Sequence, residues 1–173
     1  MDDKLFVDIC RVNYGAMFQM LREAIKACPK SLWELRGDGT PFWQVATHVV
    51  SWTDFYLSET QANFVMPSFL SWDIIAFKVT PDVALTPRVL LKYLRETEVR
   101  CKRVLTKFEK KPEMLTATNT FTWTGPTPAH RLIYNIRHAQ DHVSGLNAML
   151  TRAAAPSSHW VIAPKKPERK TTK

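Results

Sequence analysis

Apolar residues recur at spacings of three and four in four stretches of the chain, each long enough to make one helix of a bundle. The first stretch runs from about Lys4 to Ala27, with Phe6, Ile9, Met17, Leu21 and Ile25 on its expected buried side and Pro29 just past its end. A second follows Thr40 and carries Phe42, Val45, Val49, Trp52 and Tyr56. The third extends from Pro87 to about Lys110 before Pro112, with Val89, Leu90, Tyr93, Leu94, Val104, Leu105 and Phe108 as apolar contacts. The fourth runs from Pro128 to about Arg152 through Leu132, Ile136, Ala139, Val143, Leu146 and Leu150. These stripes predict an all-α fold, a four-helix bundle over residues 1–152.

Three of the helices share a start signal. Thr40-Pro41, Thr86-Pro87 and Thr127-Pro128 each place a side-chain oxygen at an expected N-cap and proline at the first helical position. There the threonine accepts from an orphan backbone N–H, and the proline lacks only a donor that would have no partner anyway. A fourth Thr-Pro, at 80–81, precedes too short a segment for a helix and reads as a turn. The connections are unequal. About a dozen residues, including Gly37 and Gly39, join the first two helices, whereas the second and third are separated by residues 61–86. So long a connection implies a crossover or an ordered functional loop. Segment 113–126, rich in threonine and aromatics, is expected to form a flap over one end of the bundle.

Composition narrows the class. Only five glycines argue against a turn-rich β fold, and six tryptophans with nine phenylalanines supply large packing units. No stretch approaches the roughly 20 apolar residues of a membrane span. The acidic start, MDDKLFVDIC, does not read as a secretion signal. Cys10, Cys28 and Cys101 form no CxxC pair, so the expectation is a reducing cytoplasm, with the cysteines as small core residues. Half of the +8 net charge lies on residues 164–173, in a basic tail (153–173) expected to be flexible. The run from Arg100 to Lys111 alternates with apolar residues and reads as a solvated helix face. Nucleic-acid binding is not indicated.

The five histidines carry the chemistry. His138 and His142 stand four apart on the fourth helix, so their rings leave one face a turn apart, as two ligands of one ion require. His48, three residues after Val45 and four before Trp52, lies on or beside the buried stripe of the second helix. A lone histidine on an apolar face is ordinarily a core residue bonded to a carbonyl. Three leaning toward one interior would leave several polar atoms to satisfy separately, at about 1–3 kcal/mol each if unmet. A shared metal ion removes that difficulty, so both readings stand on residue pattern alone. Asp54 and Asp141 are the nearby carboxylates, but the wheel turns both away from the ligand face, and Gln140 is unplaced. His130 and Tyr134 precede His138 by eight and four residues on roughly the same side. A tyrosine beside an open metal position donates to substrate; against this stands Tyr134 as a packing residue and His130 as an exposed first-turn residue. His159, beside Trp160 in the tail, is not expected at the site.

The segments PFWQVATHVVSWTDFYL and YNIRHAQDHVSGLNAML resemble the DinB-like superfamily of metal-binding bundles, whose pattern is one histidine in the second helix and an HxxxH pair in the last. The resemblance spans residues 4–152, and RHAQDHVSGLN is its most specific part. It implies an up-down-down-up bundle with a long crossover between the second and third helices. It also implies a site in which His48, His138 and His142 hold zinc, nickel, iron or manganese, zinc or nickel being expected in purified protein. A homodimer is the implied assembly. Relatives include bacillithiol-type thiol-dependent transferases and a mycothiol-dependent isomerase, so a low-molecular-weight thiol is the implied co-substrate. Ser144-Gly145 stands where the superfamily pattern has Gly-Gln.

Two functions follow as expectations. The first is a metal-dependent enzyme, a thiol-dependent transferase or a hydrolase acting on a small molecule. The second is a non-enzymatic dimeric bundle with a structural or vestigial metal, working through its surface as a stress-related interaction protein.

Overall fold

The computed structural model describes residues 2–35 and 39–164. Four long helices, α1 (Asp3–Ala27), α3 (Phe42–Tyr56), α5 (Pro87–Lys110) and α6 (Pro128–Arg152), form the bundle. Two one-turn helices lie in the connections: α2 (Lys30–Trp33) between α1 and α3, and α4 (Trp72–Ile75) within the crossover. No strand occurs among the described residues.

Side-chain pairings give the directions. Arg11 pairs with Glu109 and Arg22 with Glu98, so α1 and α5 run antiparallel. The His48–His142 and Tyr56–Tyr134 contacts make α3 antiparallel to α6. Tyr14 bonds the Leu132 carbonyl and Gln140 reaches Met20, which sets α6 parallel to α1. Asp54 meets Arg100, and Glu59 meets Lys107, so α3 and α5 are also parallel. The result is the up-down-down-up arrangement, with α1 and α3 on one diagonal of the square.

The cap chemistry differs from the Thr-Pro expectation at two of three sites. Thr86 does cap α5, accepting from the Val89 N–H at 3.4 Å. At the start of α3 the helix begins one residue later, so Pro41 occupies the cap and Thr40 falls outside it. At α6, Thr127 is the N-cap residue, but its hydroxyl lies 2.8 Å from His130 Nδ1 instead of capping a backbone N–H. An acidic residue caps α1, where Asp2 accepts from the Lys4 N–H at 3.0 Å.

The core is continuous through all four long helices, with Val7, Tyr14, Leu21, Val49, Leu94, Leu105, Val143 and Leu150 essentially inaccessible. Two residues assigned to buried stripes are not: Ile9 is 40% and Val89 37% exposed. The buried arc of α1 is centred on Val7, Cys10, Tyr14 and Met17, and Ile9 lies about 200° from Val7 around the helix.

The crossover is tied down by one buried amide. Gln44 Nε2 donates to the carbonyls of Ile74 (2.9 Å) and Val79 (2.7 Å), and its Oε1 accepts from Thr80 at 2.8 Å. Trp33 Nε1 adds a bond to the Leu85 carbonyl at 2.8 Å. α4, whose Ile74 is the first of these anchors, lies against α3. The flap after α5 is organised in the same way by Asn119, whose side chain bonds Phe121, Thr124 and Gly125. After α6 the chain turns back, and Asn147 holds Ser158 through its side chain. The last basic residues, 165–173, lie outside the described residues, as does Gly37. No helix among the described residues is long and apolar enough to cross a membrane.

Candidate metal centre

His48, near the middle of α3, and His138 and His142, on successive turns of α6, meet where these antiparallel helices face each other. Each offers a ring nitrogen, and the three nitrogens lie within 4.8 Å of one another. The ring centroids of His48 and His142 are 4.4 Å apart, those of His138 and His142 4.8 Å, and those of His48 and His138 5.1 Å.

A backbone group from the crossover orients the first ring. His48 Nδ1–H donates to the Ile75 carbonyl at 2.6 Å, and a carbonyl only accepts, so Nε2 carries the lone pair in the neutral ring. That Nε2 is 3.2 Å from His138 Nε2. The Ile75 carbonyl also accepts from Trp52 Nε1 at 3.2 Å. Just beyond, Phe77 adopts a left-handed backbone (φ 60°), and its ring stacks on His48 at 4.4 Å. A left-handed backbone at a bulky residue costs about 1–3 kcal/mol, which surrounding structure must offset. Gln44 and the turn after α4 do so here.

Desolvation dominates the electrostatics. Burial drives His48 down to about 3 and His138 to about 4, with the neighbouring imidazoles adding to the effect, and burial lowers His142 as well. All three are therefore neutral at physiological pH, the state in which imidazole ligates metal. The donor set fits a borderline divalent ion such as zinc. With bonds of about 2.0–2.1 Å, two ligands of a tetrahedral site stand about 3.3 Å apart, close to the separation of the two Nε2 atoms. His138 Nδ1 is buried without a hydrogen-bond partner, so no protein bond at that nitrogen fixes the ring in another role.

The surroundings are aromatic. Trp52 packs edge-on to His138, Tyr134 stacks parallel on it at 6.0 Å, and Tyr56 meets both His138 and Tyr134. The flap contributes Trp123, whose indole N–H donates to the Tyr56 hydroxyl at 3.2 Å. Tyr134 is half-buried and also lines an outer groove of about 380 Å³ with Phe6, His130 and Arg137. The packing role and a position beside the triad thus coincide in Tyr134.

Other sequence candidates lie elsewhere. Asp54 points to α5, pairing with Arg100 at 3.0 Å and accepting from the Tyr93 hydroxyl at 3.1 Å. Asp141 is exposed and acts on His138 and His142 only through its field. Gln140 turns to Met20, His130 is exposed, and His159 lies with Trp160 beside Gln19 and Glu23 of α1. Burial pushes the Cys10 and Cys28 thiols up to about 12 and raises Cys101, so none is poised as a nucleophile. Ile75 and Phe77 were not visible as site residues in the sequence, since one contributes only a backbone carbonyl.

A model of the DinB superfamily matches residues 14–144, most of the chain, and the chain belongs to that superfamily. No curated protein and no solved structure matches it.

Proposed function

We propose that this DinB-superfamily chain binds one divalent ion through His48, His138 and His142 and works as a metal-dependent enzyme, a thiol-dependent transferase or a hydrolase. The observation that carries the reading is the convergence of three neutral imidazoles, one of them locked in tautomer by the Ile75 carbonyl. Zinc, nickel, iron and manganese all suit the donors, with zinc or nickel expected as purified. Three neutral ligands leave a bound ion its full charge and an open position, so it would acidify a water or a low-molecular-weight thiol there.

The chain's own residues supply the rest. Ile75 fixes the His48 ring, Trp52 and Phe77 pack against that ring, and Tyr56 packs against His138. Tyr134, which stacks on His138 and lines the outer groove, would donate a proton to a substrate entering from that groove. The cytoplasm and a homodimer belong to this reading, and sedimentation of the purified chain checks the latter.

Elemental analysis of the untagged protein, beside a His48→Ala/His138→Ala variant, tests the metal. Near-stoichiometric metal in the wild type and none in the variant is expected. Turnover of a thiol with an electrophile, lost in His48→Ala, tests the enzyme. A metal-loaded protein that neither binds thiols nor changes their titration sinks the transferase.

The positions of Asp54 and Asp141 favour a second reading, since neither carboxylate is aimed at the triad as a general base. In that reading the ion is structural and the bundle acts through its surface. Chelation and metal return separate the two: a catalytic ion takes turnover with it when removed and restores it when returned, whereas in the second reading the ion changes the melting temperature and no turnover accompanies it.

A further inference from the structure

Away from the triad, the C-terminal end of α3, the last turns of α5 and the first turn of α6 enclose a cavity of about 180 Å³. Its walls are largely apolar, with Leu57, Val104, Phe108, Met114 and Pro128 among them. Arg131 also lines it, although the residue is only 3% exposed. Its guanidinium lies over the Phe121 ring at 4.5 Å, and Nη1 donates to the Glu59 carbonyl at 3.1 Å. Nε is buried with no partner, and among the described residues no carboxylate pairs with this side chain. The one acid in the lining, Glu59, has its carboxylate engaged by Lys107.

Burial lowers Arg131 only to about 10, so it stays protonated at neutral pH. The lining thus holds two cations and one anion, and the deepest cation has no counter-charge. Buried charges in proteins are ordinarily paired, because an unpaired one costs several kcal/mol. A single negative charge supplied from outside would meet that deficit. A phosphate dianion would exceed it and would lie against apolar walls.

We propose that this cavity binds a small monocarboxylate, its carboxylate on Arg131 and its compact apolar body against the walls around Phe108 and Val104. The size agrees: an apolar cavity of about 150 Å³ accommodates benzene, and the space here adds room for a carboxyl group. Arg131 precedes His138 by seven residues, about 10 Å along α6, so this site is separate from the triad.

Benzoate is the probe, titrated into the full chain by calorimetry, with neutral benzamide as the control. A His48→Ala background removes any binding of carboxylate at the metal. A Val104→Trp variant fills the cavity from a half-buried position and is checked for an unchanged circular dichroism spectrum; if it misfolds, Arg131→Met replaces it. The expected result is one benzoate per chain, benzamide weaker by about tenfold or more, equal binding in His48→Ala, and loss of binding in the cavity variant. Absence of benzoate binding up to about 10 mM, equal affinity for benzamide, loss in His48→Ala, or persistence in the folded cavity variant each overturns the proposal.

Discussion

Acid should unfold the metal-free protein through its histidines, and His48 supplies a share that can be isolated. The ring is 8% exposed, and burial lowers it from the ordinary 6.5 to about 3. A histidine whose folded value is depressed binds fewer protons in the native state than in the unfolded chain. Its contribution is therefore complete above about pH 6.5 and is lost as the pH falls toward 3. At pH 4.5 the unfolded ring is about two units below its midpoint while the folded ring is still neutral, a loss of about 2.7 kcal/mol at 1.36 kcal/mol per unit. Against a total stability of about 5–15 kcal/mol this is a large fraction.

The assay is urea unfolding of chelator-treated protein at pH 7.5 and 4.5, wild type against His48→Gln, in which the amide can still donate to Ile75. Carboxylate effects are common to both proteins and cancel in the difference. The wild type should lose about 2–3 kcal/mol more than the variant between the two pH values. Equal losses would refute the claim that the ring is held neutral by burial. In metal-loaded protein, protons compete with the ion for the same nitrogens, so the acid transition should be steeper.

Replacing Gln44 by Leu removes three buried bonds to the crossover and should cost about 2–4 kcal/mol in urea unfolding. Because those bonds position the Ile75 carbonyl on His48, metal affinity measured by competition with a chelator should fall about 10–100-fold. Asn119→Ala should cost about 2–4 kcal/mol, with Trp123 fluorescence reporting release of the flap before global unfolding. Arg100→Leu leaves Asp54, 1% exposed, beside Tyr93 without its cation, and should destabilise by about 2–3 kcal/mol at pH 7. Burial already raises Asp54, with Arg100 opposing it. A raised carboxylate favours folding below its unfolded value and loses that contribution as the pH rises. The variant should therefore recover toward wild-type stability on acidification toward the ordinary carboxylate range, a trend opposite in sign to that of His48.

The legible parts of this protein are those in which information is local. The limits of α5 and α6 match the periodic stretches, because each begins at a Thr-Pro and carries an uninterrupted stripe. The histidine pair was readable because a spacing of four fixes two side chains on one helical face whatever surrounds them. His48 needed the fold, since only the antiparallel docking of α3 on α6 brings it to a pair ninety residues away. The sequence missed groups whose role depends on another segment. Ile75 contributes a main-chain oxygen, which no residue type encodes, and Gln44 is an unremarked polar residue until the crossover folds over it.

Arg131 shows the same limit most sharply. By position it is a first-turn basic residue on a helix, where a positive charge near the N-terminus opposes the helix dipole and solvent exposure is the ordinary expectation. It is buried only because Asn119 shapes the flap so that Phe121 lies against the guanidinium, and because Glu59 turns its carbonyl rather than its carboxylate toward it. The flap just before α6 and the distant turn after α3 thus convert an unremarkable surface charge into a buried cation in an apolar cavity. Periodicity shows which face of a helix is apolar. It does not show which polar residue on that helix will be enclosed by others, and in this bundle His48 and Arg131 are such enclosed groups.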